Sequence, residues 1–237
     1  YFMKRFYERV QTTKGSEGWI ILLDGKAVKT PLKHLLKLPT KVLAEAILVE
    51  WVKQESEIDP LSMPLTCFAY STIDRTQIMR RVAINEVINY AKSDALCYQV
   101  GEPKDLSERQ ETEWRPLLEW LNAKWGARLF ITEGIIQVEQ ETKTLEKIES
   151  IVSSFNDFEL TPLHALTVSC GSIVIALALI GGHIDTDRAL GCATLEELYQ
   201  MNLWGVDPET VRRHEELYQD INTAYQFYTL ASGKDHL

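Results

Sequence analysis

The sequence predicts an α+β protein, with a small antiparallel β-rich N-terminal domain followed by a larger, mainly α-helical C-terminal domain. Three observations lead there. Short apolar runs punctuated by glycine-bearing turns fill residues 6–38, whereas beyond Pro39-Thr40 the apolar residues recur at three- and four-residue steps, the period of a helix. No Gly/Ser-rich linker, internal repeat or low-complexity tract interrupts either part. A chain of 237 residues, 45% hydrophobic and 25% charged, suffices for one large core or two modest ones. The domains are accordingly placed at residues 1–98 and 99–237, with the boundary between 92 and 105.

In the β-rich part the sharpest signal is Asp24-Gly25, set between the apolar run 19–23 and residues 26–30. Asp-Gly suits the positive φ values of a two-residue hairpin turn. An earlier run, 6–13, turns through Lys14-Gly15-Ser16-Glu17-Gly18, and a later one, 35–38, stops at Pro39. Together they predict an antiparallel meander of about four strands.

A first helix opens at Pro39-Thr40, carries Leu43, Ala46, Ile47 and Trp51, and ends before Asp59-Pro60. A second covers 78–90, followed by an extended piece at 95–100 that can return to the sheet. Ser107-Glu108-Arg109-Gln110 fits a capping box for a helix whose apolar face is Trp114, Leu117, Leu118, Leu121 and Trp125, despite Pro116. Gly126 suits its left-handed stop. Runs 128–132 and 135–138 flank Glu133-Gly134 as a further hairpin. Four final helices are expected. One carries Leu145, Ile148, Ile151, Val152 and Phe155; one runs from Thr161-Pro162 to Gly181; one spans 187–203; one starts at Asp207-Pro208 and passes Tyr225.

The formal net charge of −9 disfavours nucleic acid and anionic membranes and favours a neutral or basic partner. The most apolar run, 173–180, is too short to span a bilayer, so it reads as a buried helix and no membrane insertion is expected. The segment Tyr1-Phe2-Met3-Lys4-Arg5-Phe6 has no apolar secretory core, so nothing in it is expected to direct the chain across a membrane. Cys67, Cys97, Cys170 and Cys192 lack the spacing of a zinc or dithiol motif and read as reduced core thiols, which implies a cytosol or organelle matrix.

Little in the sequence carries reaction chemistry. Gly181-Gly182 follows a helix and does not join a strand to one, and no phosphate-cradling or dinucleotide fingerprint occurs. Ser169 and Ser172 lack a nucleophile elbow, His164 has no evident acid partner, and His183-Ile184-Asp185 reads as loop polarity beside a helix cap. No catalytic residue, metal ligand or cofactor is therefore assigned. Glu196, Glu197 and Glu209 can pair as general acid and base if the last two helices fold back, which keeps a hydrolase-type reading open beside that of a small-ligand module on the N-terminal sheet. Their blander readings are a solvated helix face for Glu196 and Glu197 and a dipole-matched first turn for Glu209. Trp51 and Trp204 read as core aromatics, with one of the two buried.

Two stretches nevertheless gather acidic, amide and aromatic side chains at helix ends: Glu50, Trp51 and Gln54, and Glu196, Glu197 and Gln200 with Trp204-Gly205. That composition suits a surface that grips another protein. The same stretches carry a family resemblance. Arg5-Phe6-Tyr7, Trp19 with Leu23-Asp24-Gly25-Lys26, and Lys29-Thr30-Pro31 resemble the opening of the assembly chaperones that handle the α subunit of F-type ATP synthase. Leu38-Pro39-Thr40, Glu50-Trp51 with Gln54, Ile58-Asp59-Pro60, Met63-Pro64-Leu65-Thr66, Ile73-Asp74-Arg75, and Asp94 with Cys97-Tyr98 continue the match. So do Gln110 with Trp114, Pro116-Leu117-Leu118 and Trp120, then Gly171-Ser172, Glu196-Glu197, Tyr199-Gln200 and Trp204-Gly205. Departures fall at 15–18, at Cys67-Phe68 and at Pro208.

The resemblance implies a non-enzymatic chaperone of mitochondria or α-proteobacteria that holds the unassembled α subunit until the β subunit joins. Under that implication Glu196, Glu197, Gln200 and Glu209 are expected as the polar part of a client-binding site, with Trp204 as anchor. Glu50, Trp51 and Gln54 are expected as a second patch or as a brace at the domain junction.

Overall fold

The computed structural model describes residues 3–134, 136 and 138–233. The chain opens with β1 (Met3–Lys4), β2 (Val10–Gly15), β3 (Gly18–Leu23), β4 (Lys26–Ala27) and β5 (Lys37–Leu38). β2 to β5 form the expected antiparallel sheet. β3 lies inside it: β2 runs along its whole length, while β4 and β5 share its other edge, opposite Leu22-Leu23 and Trp19-Ile20 respectively. Asp24 and Gly25 turn the β3–β4 hairpin at φ 48° and 78°. A Cβ on Gly25 would meet nothing within 4 Å, so backbone conformation and not space selects glycine there.

Next come α1 (Lys41–Val52), whose Leu43 N–H donates to the Thr40 hydroxyl, and β6 (Glu57–Ile58), which pairs with β1. A 3-10 turn at Pro60–Ser62 leads into α2 (Pro64–Ser71) and a π-turn at Thr72–Thr76. Helices then dominate: α3 (Arg80–Lys92), a 3-10 turn at Ala95–Cys97, β7 (Tyr98–Gln99), α4 (Lys104–Trp125), β8 (Thr132–Glu133) and α5 (Thr142–Ser154). The last five are α6 (Asp157–Cys170), α7 (Ile173–Ile180), α8 (Thr186–Ala193), α9 (Leu195–Trp204) and α10 (Pro208–Ser232). The molecule is α+β, with a small antiparallel strand-rich N-terminal region and a larger helical C-terminal part.

The chain gathers into two compact units that are discontinuous in sequence. The first takes residues up to Arg80, then Asn156–Pro162 and the chain from Gln226; the second takes Arg81–Phe155 and Leu163–Tyr225. This differs from consecutive domains at 1–98 and 99–237. The reason lies in the first core, where Ile21, Leu38, Leu43 and Ile47 are joined by Phe158 and Phe227 from far downstream. Phe227 stacks on Phe68 with centroids 5.2 Å apart and lies 6.2 Å from Phe158.

In the second unit every residue of α7 is buried. Burying side chains of this kind stabilises by about 1.5–3 kcal/mol each, provided the helix end is satisfied. Fully buried Asp94 does that: its carboxylate accepts from the Val174 N–H at 3.2 Å and the Ser172 hydroxyl at 2.7 Å, while Ser172 caps Ile175. Burial raises the Asp94 pKa to about 6 against these hydrogen bonds.

Several elements differ from their sequence expectations. The helix expected over 161–181 is two helices, because Gly171 at φ 63° breaks it; α6 also starts earlier, where the Asn156 and Glu159 side chains cap each other's N–H. The helix expected over 187–203 divides at Thr194. α4 begins after Pro103, so Ser107 lies inside it and caps nothing at its start. Tyr98–Gln99 does not return to the N-terminal sheet but pairs in parallel with β8, which replaces the hairpin expected around Glu133-Gly134. Of that hairpin's second run, Ile135 and Gln137 lie outside the described residues. The four cysteines are free thiols, with Cys97, Cys170 and Cys192 buried and Cys67 partly so.

Candidate functional site

Glu50, Trp51 and Gln54 are buried and committed inside the first unit. Both Glu50 carboxylate oxygens reach the N-terminus of α2, accepting from Leu65 N–H at 2.8 Å, Thr66 N–H at 2.8 Å and the Thr66 hydroxyl at 2.7 Å. The residue at that cap is Met63, which supplies no side-chain acceptor, so a carboxylate from another helix does the capping. Gln54 donates to Glu50 O and Ser62 Oγ and accepts from the Asp59 N–H at 2.7 Å, fixing the loop between α1 and α2. Trp51 is 5% exposed and meets the Tyr7 ring edge-on at 5.6 Å, while the Tyr7 hydroxyl donates to the Trp51 carbonyl at 2.7 Å. These three residues brace one unit from within. They present no docking patch.

The second stretch lies on α9, which is anchored along one side. Leu195 and Tyr199 are buried, and the Tyr199 hydroxyl donates to both oxygens of Asp105 on α4 at 2.8 and 2.9 Å. Arg109 lies over the Tyr199 ring. Glu196 accepts from buried Gln110 of α4 at 2.7 Å, and Gln110 in turn accepts from Val100 N–H. Glu197 faces α10, 2.6 Å from the Arg213 guanidinium and 2.7 Å from the His214 ring.

With its inner side so fixed, α9 projects its outer side into solvent. Trp204 is 81% exposed, and its indole N–H donates to Gln200 Oε1, one turn back, at 2.9 Å. Gly205 ends the helix at φ 96°, and Leu198, Leu203 and Val206 are exposed around Trp204 in sequence. Asp207 caps α10 through Thr210, leaving Glu209 exposed in its first turn, as its dipole-matched reading expects. The short loop between α9 and α10 thus carries an apolar tip, with Glu196, Glu197, Gln200 and Glu209 as polar groups on the two helices it joins.

The electrostatics argue against acid–base use of these glutamates. Partial burial alone would raise the Glu197 pKa, but hydrogen bonds from His214 and Arg213 outweigh it and hold the carboxyl below its usual range. A general acid at neutral pH needs the opposite shift. Glu196 is directed to Gln110, so the two carboxylates do not act as a pair.

Comparison with known proteins decides between the chaperone and enzyme readings. The model of the ATP12 chaperone protein family matches residues 4–122. The chain belongs to that family. The crystal structure of Atp12 from Paracoccus denitrificans is 34% identical, with a TM-score of 0.93 over 97% of this chain and 98% of that one. The Atu1473 protein of Agrobacterium tumefaciens is 31% identical, with a TM-score of 0.92 over 98% of this chain and 87% of its own. A mitochondrial atp12 protein of Schizosaccharomyces pombe is 27% identical over 85% of this chain and 74% of its length. The resemblance drawn from the motifs is confirmed at the level of the family: this is an ATP12-type assembly chaperone for ATP synthase and not an enzyme.

The sequence reading named Trp204 but passed over Leu198, Leu203 and Val206, the apolar residues that make its surroundings a surface. The available signal was three large apolar residues, Leu203, Trp204 and Val206, beside Gly205; such residues are ordinarily buried, so the sequence alone suggested core where the structure shows an exposed apolar set.

Proposed function

We propose that this chain binds the unassembled α subunit of F-type ATP synthase through the outer side of α9 and the loop to α10, and releases it when the β subunit joins. The observation that carries the proposal is Trp204, exposed at 81% yet held in one orientation by Gln200. A large aromatic kept in water by its own helix is pre-organised for a pocket on a partner, and such anchors dominate binding energy. Leu203 and Val206 extend the apolar contact. Glu196 and Glu209 give the rim a negative bias, with Glu197 largely offset by Arg213 until a partner's cation competes for it; the net charge of −9 reinforces that bias, which suits basic groups on a subunit interface exposed before assembly. Nucleic acid does not fit that charge, and among the described residues no helix is long and apolar enough to cross a membrane. The working location is the mitochondrial matrix or a bacterial cytoplasm.

Refolding of isolated α subunit, followed by light scattering, tests this directly. At several-fold excess the chaperone should suppress scattering and be captured with α but not with isolated β, and capture should weaken as salt screens the acidic rim. Equal scattering with and without it, or equal capture of both subunits, overturns the proposal.

A further inference from the structure

The last two turns of α4 carry Trp120, Lys124 and Trp125, a cluster with no part in the α9 site. The two indoles meet edge to face, with centroids 5.0 Å apart and planes at 84°. The Lys124 ammonium lies 4.9 Å from the centroid of Trp120 and 4.7 Å from that of Trp125. His183, in the turn after α7, stacks on Trp120 at 5.1 Å and 14°. An ordinary contact between residues four apart on a helix puts one ring beneath a lysine. Here a second π face stands across the first, and both converge on the same charge.

The walls of this corner are firm and its occupant is loose. Trp120 is backed by Gly181, where a Cβ would meet the indole at 3.0 Å, so the close approach of the turn fixes the ring. Burial, with the nearby Arg188 and Lys124 charges, holds the His183 pKa below its ordinary value, which keeps the third ring neutral at neutral pH. Lys124 is exposed, and among the described residues it makes no hydrogen bond or ion pair, so the rings alone hold its ammonium. Lys124 and His183 are exposed and both indoles are half-buried, which leaves the corner open to a side chain arriving from outside.

We propose that Trp120, Trp125 and His183 form a docking corner for a lysine side chain of a partner protein, with Lys124 as its displaceable intramolecular occupant. The ammonium already seated there identifies the chemistry; the charges nearest the corner, Lys124 and Arg188, are positive, so the attraction comes from the ring faces once Lys124 moves aside and not from the chain's net charge. One such contact is weak, so it serves as a second foothold beside a stronger site and adds to avidity. That the partner is the chaperone's client rests on the proposed function; the cation site does not.

The test uses indole N–H signals of the ¹⁵N-labelled full chain, which has six tryptophans, titrated with Nα-acetyl-lysine N-methylamide or its norleucine counterpart at matched ionic strength. The lysine probe should shift the Trp120 and Trp125 signals saturably and leave those of Trp51 and Trp114 in place, and norleucine should do neither. Lys124→Ala empties the corner and should tighten binding several-fold, whereas Trp125→Leu, checked for an unchanged melt, should abolish it. Equal shifts with norleucine, shifts spread over all tryptophans, or unchanged affinity in Lys124→Ala would overturn the proposal. No ATP synthase subunit enters the measurement, so its failure and a failure of α-subunit capture are told apart.

Discussion

Glu50, Trp51 and Gln54, at and just past the end of α1, and Glu196, Gln200 and Trp204 along α9, are the same three residue types in two places. On α1 the glutamate caps another helix, the glutamine ties down a loop and the tryptophan is in the core. On α9 the glutamine holds the tryptophan out in solvent. The difference follows from which face of the helix carries them. Glu50 shares a face with Leu43 and Ile47, at steps of four and three, and Gln54, just past the helix end, turns back to donate to the Glu50 carbonyl, so both go inside. Glu196, Gln200 and Trp204 recur every four residues and drift around α9: Glu196 still reaches α4 through Gln110 beside Leu195 and Tyr199, whereas Gln200 and Trp204 at the far end stand in solvent. Composition marks both stretches as special; position on the helix separates the stretch that is buried from the one whose end is left in solvent.

The comparison breaks most sharply at the two tryptophans. Trp51→Arg puts an unpaired guanidinium where the side chain is 5% exposed, and its cost should exceed about 3 kcal/mol. The expected outcome is an insoluble protein or a melting temperature far below the parent's by circular dichroism. A variant that melts like the parent would show that the α1 stretch is not core and that the contrast with α9 is false.

Trp204→Ser is the converse. Among the described residues the indole N–H is hydrogen-bonded to the Gln200 side chain alone, and Trp204 is 81% exposed, so folding stability should move by no more than about 0.5 kcal/mol. Capture of the α subunit should weaken by about 2 kcal/mol, roughly thirtyfold, if the indole is the anchor. Calorimetric melts paired with a pull-down titration check both halves. Unchanged capture would reduce Trp204 to an incidental surface residue and leave the glutamates as the site.

How far the sequence could be read depended on the range of the determinant. The β3–β4 hairpin was legible because Asp24-Gly25 encodes the turn within two residues. The burial of residues 173–180 was legible because every side chain there is apolar. The α6/α7 break at Gly171 was visible as a glycine but outweighed by the apolar run around it. What could not be read was long-range: that Phe227 completes a core begun by Ile21, that Glu50 caps a helix starting at Pro64, or that Asp94 closes the end of α7. In each case one residue answers a need created elsewhere in the chain. The unmet need itself is visible locally, as at Met63, an apolar residue at a helix start.

The smallest expected effect is a difference of sign with pH. Burial pushes the Glu50 carboxyl above its usual range against the hydrogen bonds from Thr66 and Leu65, whereas Glu197, despite some burial, is pulled below it by His214 and Arg213. A group whose folded pKa is raised contributes stability that is full below its unfolded pKa and is lost as pH rises through the folded one. A group whose folded pKa is lowered contributes above its unfolded pKa and loses that contribution as pH falls through the folded one. Measured against a non-titrating Glu50→Gln variant, the parent's advantage in melting temperature should therefore shrink as pH rises above the ordinary glutamate value of about 4. Against Glu197→Gln it should instead be present at neutral pH and shrink toward acid. The Glu197 shift should stay within about 2–4 °C, since partly exposed ion pairs are worth little. Slopes of the same sign in the two series would mean that one of these carboxylates has been given the wrong surroundings: either Glu50 is better solvated than its partners in α2 imply, or the contacts of Glu197 with α10 do not persist in solution.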